Sequence, residues 1–136
     1  MINIVNYSPE HLAKITVKDC HKTELPKSIN CPALTVLLGD TPLAIFGCWF
    51  FAPGVLHAWG FVSTEVNHSP IGFYKACKKL LESHIAMFKP HRLQVDIRAD
   101  YQIGCTFAES FGFEREGLMK RFGIDGMDHY LYGRAL

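Results

Sequence analysis

Residues 55–98 read VLHAWGFVSTEVNHSPIGFYKACKKLLESHIAMFKPHRLQVDIR, and they set out a strand, a loop, a helix and a second strand. The turn pair Pro53-Gly54 precedes the first part, whose apolar and aromatic residues predict a strand over 55–63. Ser69 then stands before Pro70. Serine caps the first amides of a helix, and proline suits the first helical position because the N–H it lacks has no partner there. Phe73, Cys77, Leu80, Leu81, His84 and Phe88 follow at helical spacing, and Pro90 ends the pattern. Lys75, Lys78, Lys79 and Glu82 fall on other faces and read as a solvated surface. Residues 92–98 alternate, with Leu93, Val95 and Ile97 to one side and Gln94, Asp96 and Arg98 to the other, which is a strand.

Upstream, residues 33–38 and 43–51 are β-rich runs joined by Gly39-Asp40-Thr41-Pro42. With 55–63 they make three strands on short turns, which must be antiparallel. A strand over 2–5 and a helix opened by Ser8-Pro9-Glu10, with Leu12 and Ile15 inward, come first. Residues 16–32 are broken by Pro26 and Pro32 and leave room for a second short helix. Downstream, a helix over 102–111 stops at Gly112, and two strands over 113–120 and 129–134 flank Asp125-Gly126. An antiparallel meander followed by crossover helices predicts an α/β (α+β) domain spanning 1–136, its mixed sheet covered by helices.

Composition bounds the function. Hydrophobic residues at 49% and charged residues at 20% exclude disorder, and a net charge of +1 gives no footprint for nucleic acid. The longest apolar run, residues 43–53, has about half the length needed to cross a bilayer, and the N-terminus lacks a basic leader. Cys20, Cys31, Cys48, Cys77 and Cys105 are odd in number and form no CxxC pair, which predicts a reducing, cytoplasmic setting without disulfides. Cys20, His21 and Cys31 do not have a zinc-finger spacing, so no metal is expected.

The segment Phe107-Ala108-Glu109-Ser110-Phe111-Gly112-Phe113-Glu114-Arg115-Glu116-Gly117 resembles the helix end of the GNAT N-acetyltransferases, where a hydrophobic-Gly-Phe step leads into a strand with Glu-Gly. Arg121, Asp125-Gly126, Asp128 and Tyr130-Leu131-Tyr132 continue the pattern of the ribosomal-protein N-terminal acetyltransferases. The resemblance covers about residues 33–136 and implies the GNAT fold, a mostly antiparallel sheet of six or seven strands with helices on both faces. A second resemblance is to small GNAT-like proteins of short-tailed phages, which have eroded cofactor loops and include an internal virion protein.

The first resemblance implies an acetyl-CoA site. The strand over 55–63 would part from that over 92–98, and its main chain at Phe61 and Val62 would pair with pantetheine. A loop of the form Arg/Gln-x-x-Gly-x-Gly/Ala would then aim amides at the pyrophosphate. Asn67-His68-Ser69-Pro70-Ile71-Gly72 aligns with that loop without gaps, but Asn67, His68 and Pro70 depart from the pattern and Pro70 deletes an N–H. The cradle is therefore either weakened, with Asn67, His68, Ser69, Ile71 and Gly72 as its residues and Lys75, Lys78 or Lys79 near a phosphate, or simply a capped structural helix with those lysines on a solvated face.

Transfer to an amine needs a base, and the family's usual inward positions are Leu56, Ala58 and Gly60, none of which takes a proton. His57 points to the opposite face and reads as a packed or half-buried histidine. Asp96 falls where some amino-terminal acetyltransferases place a carboxylate base, and is otherwise an ion-pair partner of Arg98 or a solvated residue. The family's tyrosine acid is replaced by Ala108, with Tyr101 as a substitute or as packing, and Cys105 reads as a small buried residue. Two functions follow: an acetyl-CoA-dependent N-acetyltransferase acting on a protein N-terminus, a lysine or a small amine, or an inactive binding or structural protein on this scaffold, encoded by a phage. Trp49, Phe50 and Phe51 either offer an apolar surface to a protein partner or, as the plainer expectation, are buried in the sheet.

Overall fold

The computed structural model describes residues 1–18, 25–29 and 31–136. Its elements run β1 (Ile2–Asn6), α1 (Pro9–Lys14), β2 (Ala33–Leu38), β3 (Thr41–Ala52), β4 (Val55–Val62), α2 (Pro70–Phe88), β5 (Arg92–Arg98), α3 (Gln102–Ser110), β6 (Glu114–Met119) and β7 (His129–Ala135). The seven strands form one sheet in the order β1-β2-β3-β4-β5-β7-β6. The pairs β1–β2, β2–β3, β5–β7 and β6–β7 are antiparallel, and β4–β5 is parallel, which matches the mixed, mostly antiparallel sheet expected. Of the region where a second short helix was expected, residues 19–24, with Cys20 and His21, and residue 30 lie outside the described residues, and residues 25–29 carry no helix. Among the described residues no helix is long and apolar enough to cross a membrane.

The described chain forms two compact units, Met1–Cys48 with Gly60–Met87, and Trp49–Trp59 with Phe88–Leu136. In the first, Gly39 at φ 60° turns β2 into β3. Pro42 lies inside β3 opposite Leu37, and the register shifts between Val36 and Leu37, as expected where a proline withdraws a ladder donor. Val36, Leu43, Ala44 and Ile45 are wholly buried, and α2 adds Phe73 and Cys77 one turn apart. Each large apolar side chain buried this way contributes about 1.5–3 kcal/mol. Phe46 stacks on Phe73 with ring centroids 6.4 Å apart. Burial pushes the Cys77 thiol up to about 12, so it behaves as an inert apolar group.

In the second unit Leu56 and Leu93, opposite each other across the parallel pair β4–β5, are both buried. α3 buries Cys105 and Ala108, three residues apart on one stripe. Gly112 at φ 85° ends that helix, its N–H and those of Phe111 and Phe113 returning to the carbonyls of Glu109 and Ala108. Tyr132 is wholly buried; its hydroxyl donates to Glu109 Oε2 (2.9 Å) and accepts from Arg115 Nε and Nη2 (3.1 and 3.0 Å). Burial chiefly, opposed by the Arg115 bond, raises this phenol to about 12.

Candidate active site

A hydrogen-bonded chain of polar side chains crosses one face of the second unit. Arg92 of β5 forms a fork with Glu116 of β6, Nη1 to Oε2 at 3.0 Å and Nη2 to Oε1 at 2.6 Å. The fork passes over Gly133 of β7, where a Cβ would come within 2.5 Å of Glu116 Oε2. Arg92 Nε donates to Gln94 Oε1 (3.0 Å), and Gln94 Nε2 reaches His57 Nδ1 (3.1 Å). His57 Nε2 reaches Asp96 Oδ1 (3.0 Å), and Asp96 Oδ2 meets His129 Nδ1 of β7 (2.8 Å). Alternation along β5 places Arg92, Gln94 and Asp96 on this face, while the register His57↔Gln94 brings β4's histidine alongside.

This chain fixes proton positions. Arginine only donates, so Gln94 must present Oε1 to Arg92 and its NH₂ to His57. His57 Nδ1 therefore accepts, and the ring proton sits on Nε2, facing Asp96. Burial raises the Asp96 pKa, but the hydrogen bonds from His57 and then His129 outweigh it and hold the carboxyl below its ordinary range. Asp96 is thus a carboxylate accepting N–H donors on both oxygens, with its side chain 21% exposed against 13% for His57 and 8% for His129. The pairing expected with Arg98 is replaced: Arg98, buried, bonds Asp100 through Nε and Nη2 (both 3.0 Å) and Asp125 through Nη1 (2.6 Å). Among the described residues no group of three or more histidine, cysteine and carboxylate side chains is arranged to hold a metal ion.

Sequence reasoning does not reach His57 and His129 as partners of Asp96. The sign that His57 belongs there is parity: if Leu56 and Leu93 both face the core, His57 and the even-numbered residues of β5 share the other face. His129 depends on the β5–β7 register, Arg98↔His129, for which the sequence carries no local signal.

The burial expected for Trp49, Phe50 and Phe51 is corrected: they are 47%, 51% and 62% exposed. Successive strand residues face opposite ways, so three aromatics in a row are buried together only where both faces are covered. Phe50 packs edge-on to Phe88 (5.6 Å), while Trp49 contacts Phe51 (5.8 Å) and lies over His57 (5.1 Å). Trp49 thereby covers one side of the imidazole that holds Asp96. Tyr101 occupies the N-cap position of α3 and its ring packs on Gly104, where a Cβ would stand 2.4 Å from it. Ala108 and Cys105 are buried.

In the first unit, the expected phosphate loop winds into a 3₁₀-helix over Thr64–His68. Its amides are taken up locally: Thr64 by Thr16 O (2.9 Å), Glu65 by Ser63 Oγ (3.0 Å), Val66 by Ser63 O (3.3 Å) and Ser69 by Val66 O (3.1 Å). The i→i−3 bonds of the 3₁₀-helix use those of Asn67 and His68. Pro70 has none, and Phe73 donates to Ser69 O (2.9 Å), which makes Ser69 the N-cap. The first turn of α2 leaves over the amides of Ile71 and Gly72. Glu65 pairs with His68 at 3.0 Å on the surface. Gly72 has a packing reason to be glycine, since a Cβ there would come within 2.9 Å of Ile2 Cδ1 and 3.0 Å of Ser69 Oγ. Phe61 and Val62, both half-buried, end β4, which runs on to Val62 although its parallel register with β5 ends at Ala58↔Val95. Asp96 is the next residue of β5 after that last pair.

No protein-family model matches the chain, and no curated protein matches it. Solved structures do. Ard1 from Thermoplasma volcanium superposes with a TM-score of 0.77 at 12% identity, covering 99% of this chain and 97% of that one. A GNAT-family acetyltransferase from Bacillus anthracis gives 0.74 at 14% identity, covering 98% and 94%. The yncA protein from Salmonella typhimurium, solved with its cofactor acetyl-CoA, gives 0.72 at 12% identity, covering 99% and 94%. Likeness at these identities speaks to architecture, and with the strand order and the crossover through α2 it leads to one conclusion: the chain has the fold of the GNAT acetyltransferases.

Proposed function

We propose that this protein moves an acetyl group directly from a thioester to a primary amine, with Asp96 as the proton acceptor. The observation that carries the reading is the Asp96 carboxylate, held between His57 and His129 at the first β5 position past the last parallel pair, in a fold whose solved relatives include acetyltransferases. Acetyl-CoA, the cofactor named for the Salmonella structure, is the donor this reading starts from. The donor supplies an activated carbonyl carbon and a thiolate leaving group.

The residues of this chain do the rest. An acceptor amine arrives as ammonium, and Asp96 takes one proton, directly or through a water. From Asp96 the proton leaves to solvent. The freed nitrogen attacks, the carbon–sulfur bond breaks and a carbon–nitrogen bond forms. The second proton of the amine ends on the sulfur, with the Tyr101 hydroxyl or water as the donor to it. The acceptor is a protein N-terminus, a lysine or a small amine, and the cytoplasm is the setting that suits all three.

Acetyl-CoA fits unevenly. Strand β4 offers extended main chain at Phe61 and Val62 for the pantetheine arm. The loop offers the pyrophosphate little more than the amides of Ile71 and Gly72, with His68, Ser69 and Asn67 as side-chain supplements. This closed loop favours the competing reading, a non-enzymatic virion or host-interaction protein on the same scaffold. Intact-mass measurement of a panel of amines and peptides incubated with protein and acetyl thioester decides between them. A mass gain of one acetyl group on any acceptor supports transfer; no gain and no thioester binding replaces it with the binding role.

A further inference from the structure

Resting on that reading, we propose that the acceptor is a primary monoamine whose ammonium meets Asp96 and whose aromatic group is held by Trp49 and Phe122. All the residues involved belong to the second unit. There they form one row. Trp49 lies 5.1 Å from His57, His57 bonds one oxygen of Asp96, His129 bonds the other, and Phe122 lies 5.5 Å from His129. The carboxylate thus has an aromatic ring beyond each of its two imidazoles. Both rings keep surface open to a ligand, Phe122 being 54% exposed and Trp49 nearly as much. A carboxylate oxygen carries two lone pairs, so each can accept an ammonium N–H beside its imidazole.

Phe122 is set in place by the chain around it. The loop from β6 to β7, residues 120–128, is closed by the Gly123 N–H on Met127 O (2.9 Å) and the Gly126 N–H on Gly123 O (2.8 Å). Asp128 Oδ1 accepts from the Arg121 N–H (2.9 Å), and the buried Arg98 grips Asp125 at 2.6 Å. Gly123 presses on His129, where a Cβ would stand 2.8 Å from Nε2. A ring fixed in so tied a loop loses little freedom on binding. Two features then select the class. Aromatic faces attract an ammonium and pack well on a further ring, which favours an arylalkylamine over a plain alkylamine or a lysine side chain. A second cation is disfavoured, because Glu116, Asp100 and Asp125 already pair with the guanidiniums of Arg92 and Arg98 on the same strand as Asp96. The step is the one given above: the acyl–sulfur bond breaks, the acyl–nitrogen bond forms, and the amine gives one proton through Asp96 to solvent and one to the sulfur. Nothing is oxidised or reduced.

Such an amine is available free or as the first residue of a peptide, and the test separates the two. Initial rates are measured with acetyl-CoA on 2-phenylethylamine, ethylamine, spermidine, and two peptides that differ only in starting with phenylalanine or serine. The expected kcat/KM for each aromatic acceptor exceeds that of its counterparts by about fivefold or more. A free aromatic amine faster than the phenylalanine peptide identifies a small-molecule acceptor, and the reverse identifies a chain start; both support the inference. In Trp49→Leu and Phe122→Leu, whose folding a thermal scan checks, the ratio of 2-phenylethylamine to ethylamine should fall toward one. Equal rates for aromatic and plain amines, a preference for spermidine, or a ratio unmoved in both folded variants overturns the inference and leaves the transferase reading standing. Acetylation of none of the five ends both.

Discussion

Replacing Pro70 with glycine returns a backbone N–H to the position where the loop lacks one. The new amide would follow Ser69, whose own N–H is bound to Val66 O at 3.1 Å, and would join the two left over at Ile71 and Gly72. A hydrogen bond from a backbone N–H to a charged phosphate contributes about 1.5–3 kcal/mol. Ordering the more flexible glycine on binding costs about 1 kcal/mol of that gain. The net of roughly 0.5–2 kcal/mol corresponds to CoA binding about two- to thirtyfold tighter. The effect on folding is separate: glycine widens the unfolded ensemble that proline restricts, so stability falls by about 1 kcal/mol and Tm by about 4 °C. Calorimetric titration with CoA and a thermal scan read the two effects independently, and S-acetylpantetheine, which has no phosphate, serves as the control whose affinity stays put. A variant whose Tm falls while its CoA affinity is unchanged would refute the reasoning, because the absent amide would then not be what limits the loop.

Three further outcomes follow from the same geometry. Asp96 has its pKa lowered from an ordinary 3.8, so it contributes stability above that value and loses it as pH falls through the folded value. The stability gap between wild type and Asp96→Asn, about 2 kcal/mol at neutral pH from two charge-assisted bonds, should therefore close below about pH 4 in urea titrations; a gap independent of pH contradicts the assignment. In Gln94→Glu the new carboxylate accepts from both Arg92 and His57, so ¹⁵N NMR should show the His57 ring pass from protonation at Nε2 alone to protonation at both nitrogens, and an unchanged spectrum contradicts the proton order along the Arg92–Gln94–His57–Asp96 chain. Gly60→Ala sets a Cβ 2.4 Å from Phe46 Cδ1 and should destabilise by about 1–3 kcal/mol in chemical denaturation.

Much of the fold is legible in the sequence because its boundaries are written locally. Ser69-Pro70 and Pro90 bracket α2, the alternation of 92–98 gives β5, and Gly112 stops α3. Pro42 reads as part of a turn but sits within β3, where the register skips Leu43 between the pairs Leu37↔Pro42 and Val36↔Ala44. The site is less legible. Asp96 comes from a resemblance, while its two imidazole partners come from strands whose register no local pattern specifies. The aromatic run Trp49-Phe50-Phe51 misleads for a related reason: hydrophobicity signals burial, but strand parity sends neighbours to opposite faces, and whether a face is covered is a tertiary fact. Gly72 looks like a relic of a phosphate motif, and the structure gives it a packing role against Ile2.

The central claim is that a carboxylate gripped by two histidines takes the acceptor's proton. Single-turnover acetylation by Asp96→Asn beside wild type addresses it directly: the rate should drop by about a hundredfold or more, with thioester binding retained. A variant that acetylates at the wild-type rate would contradict it.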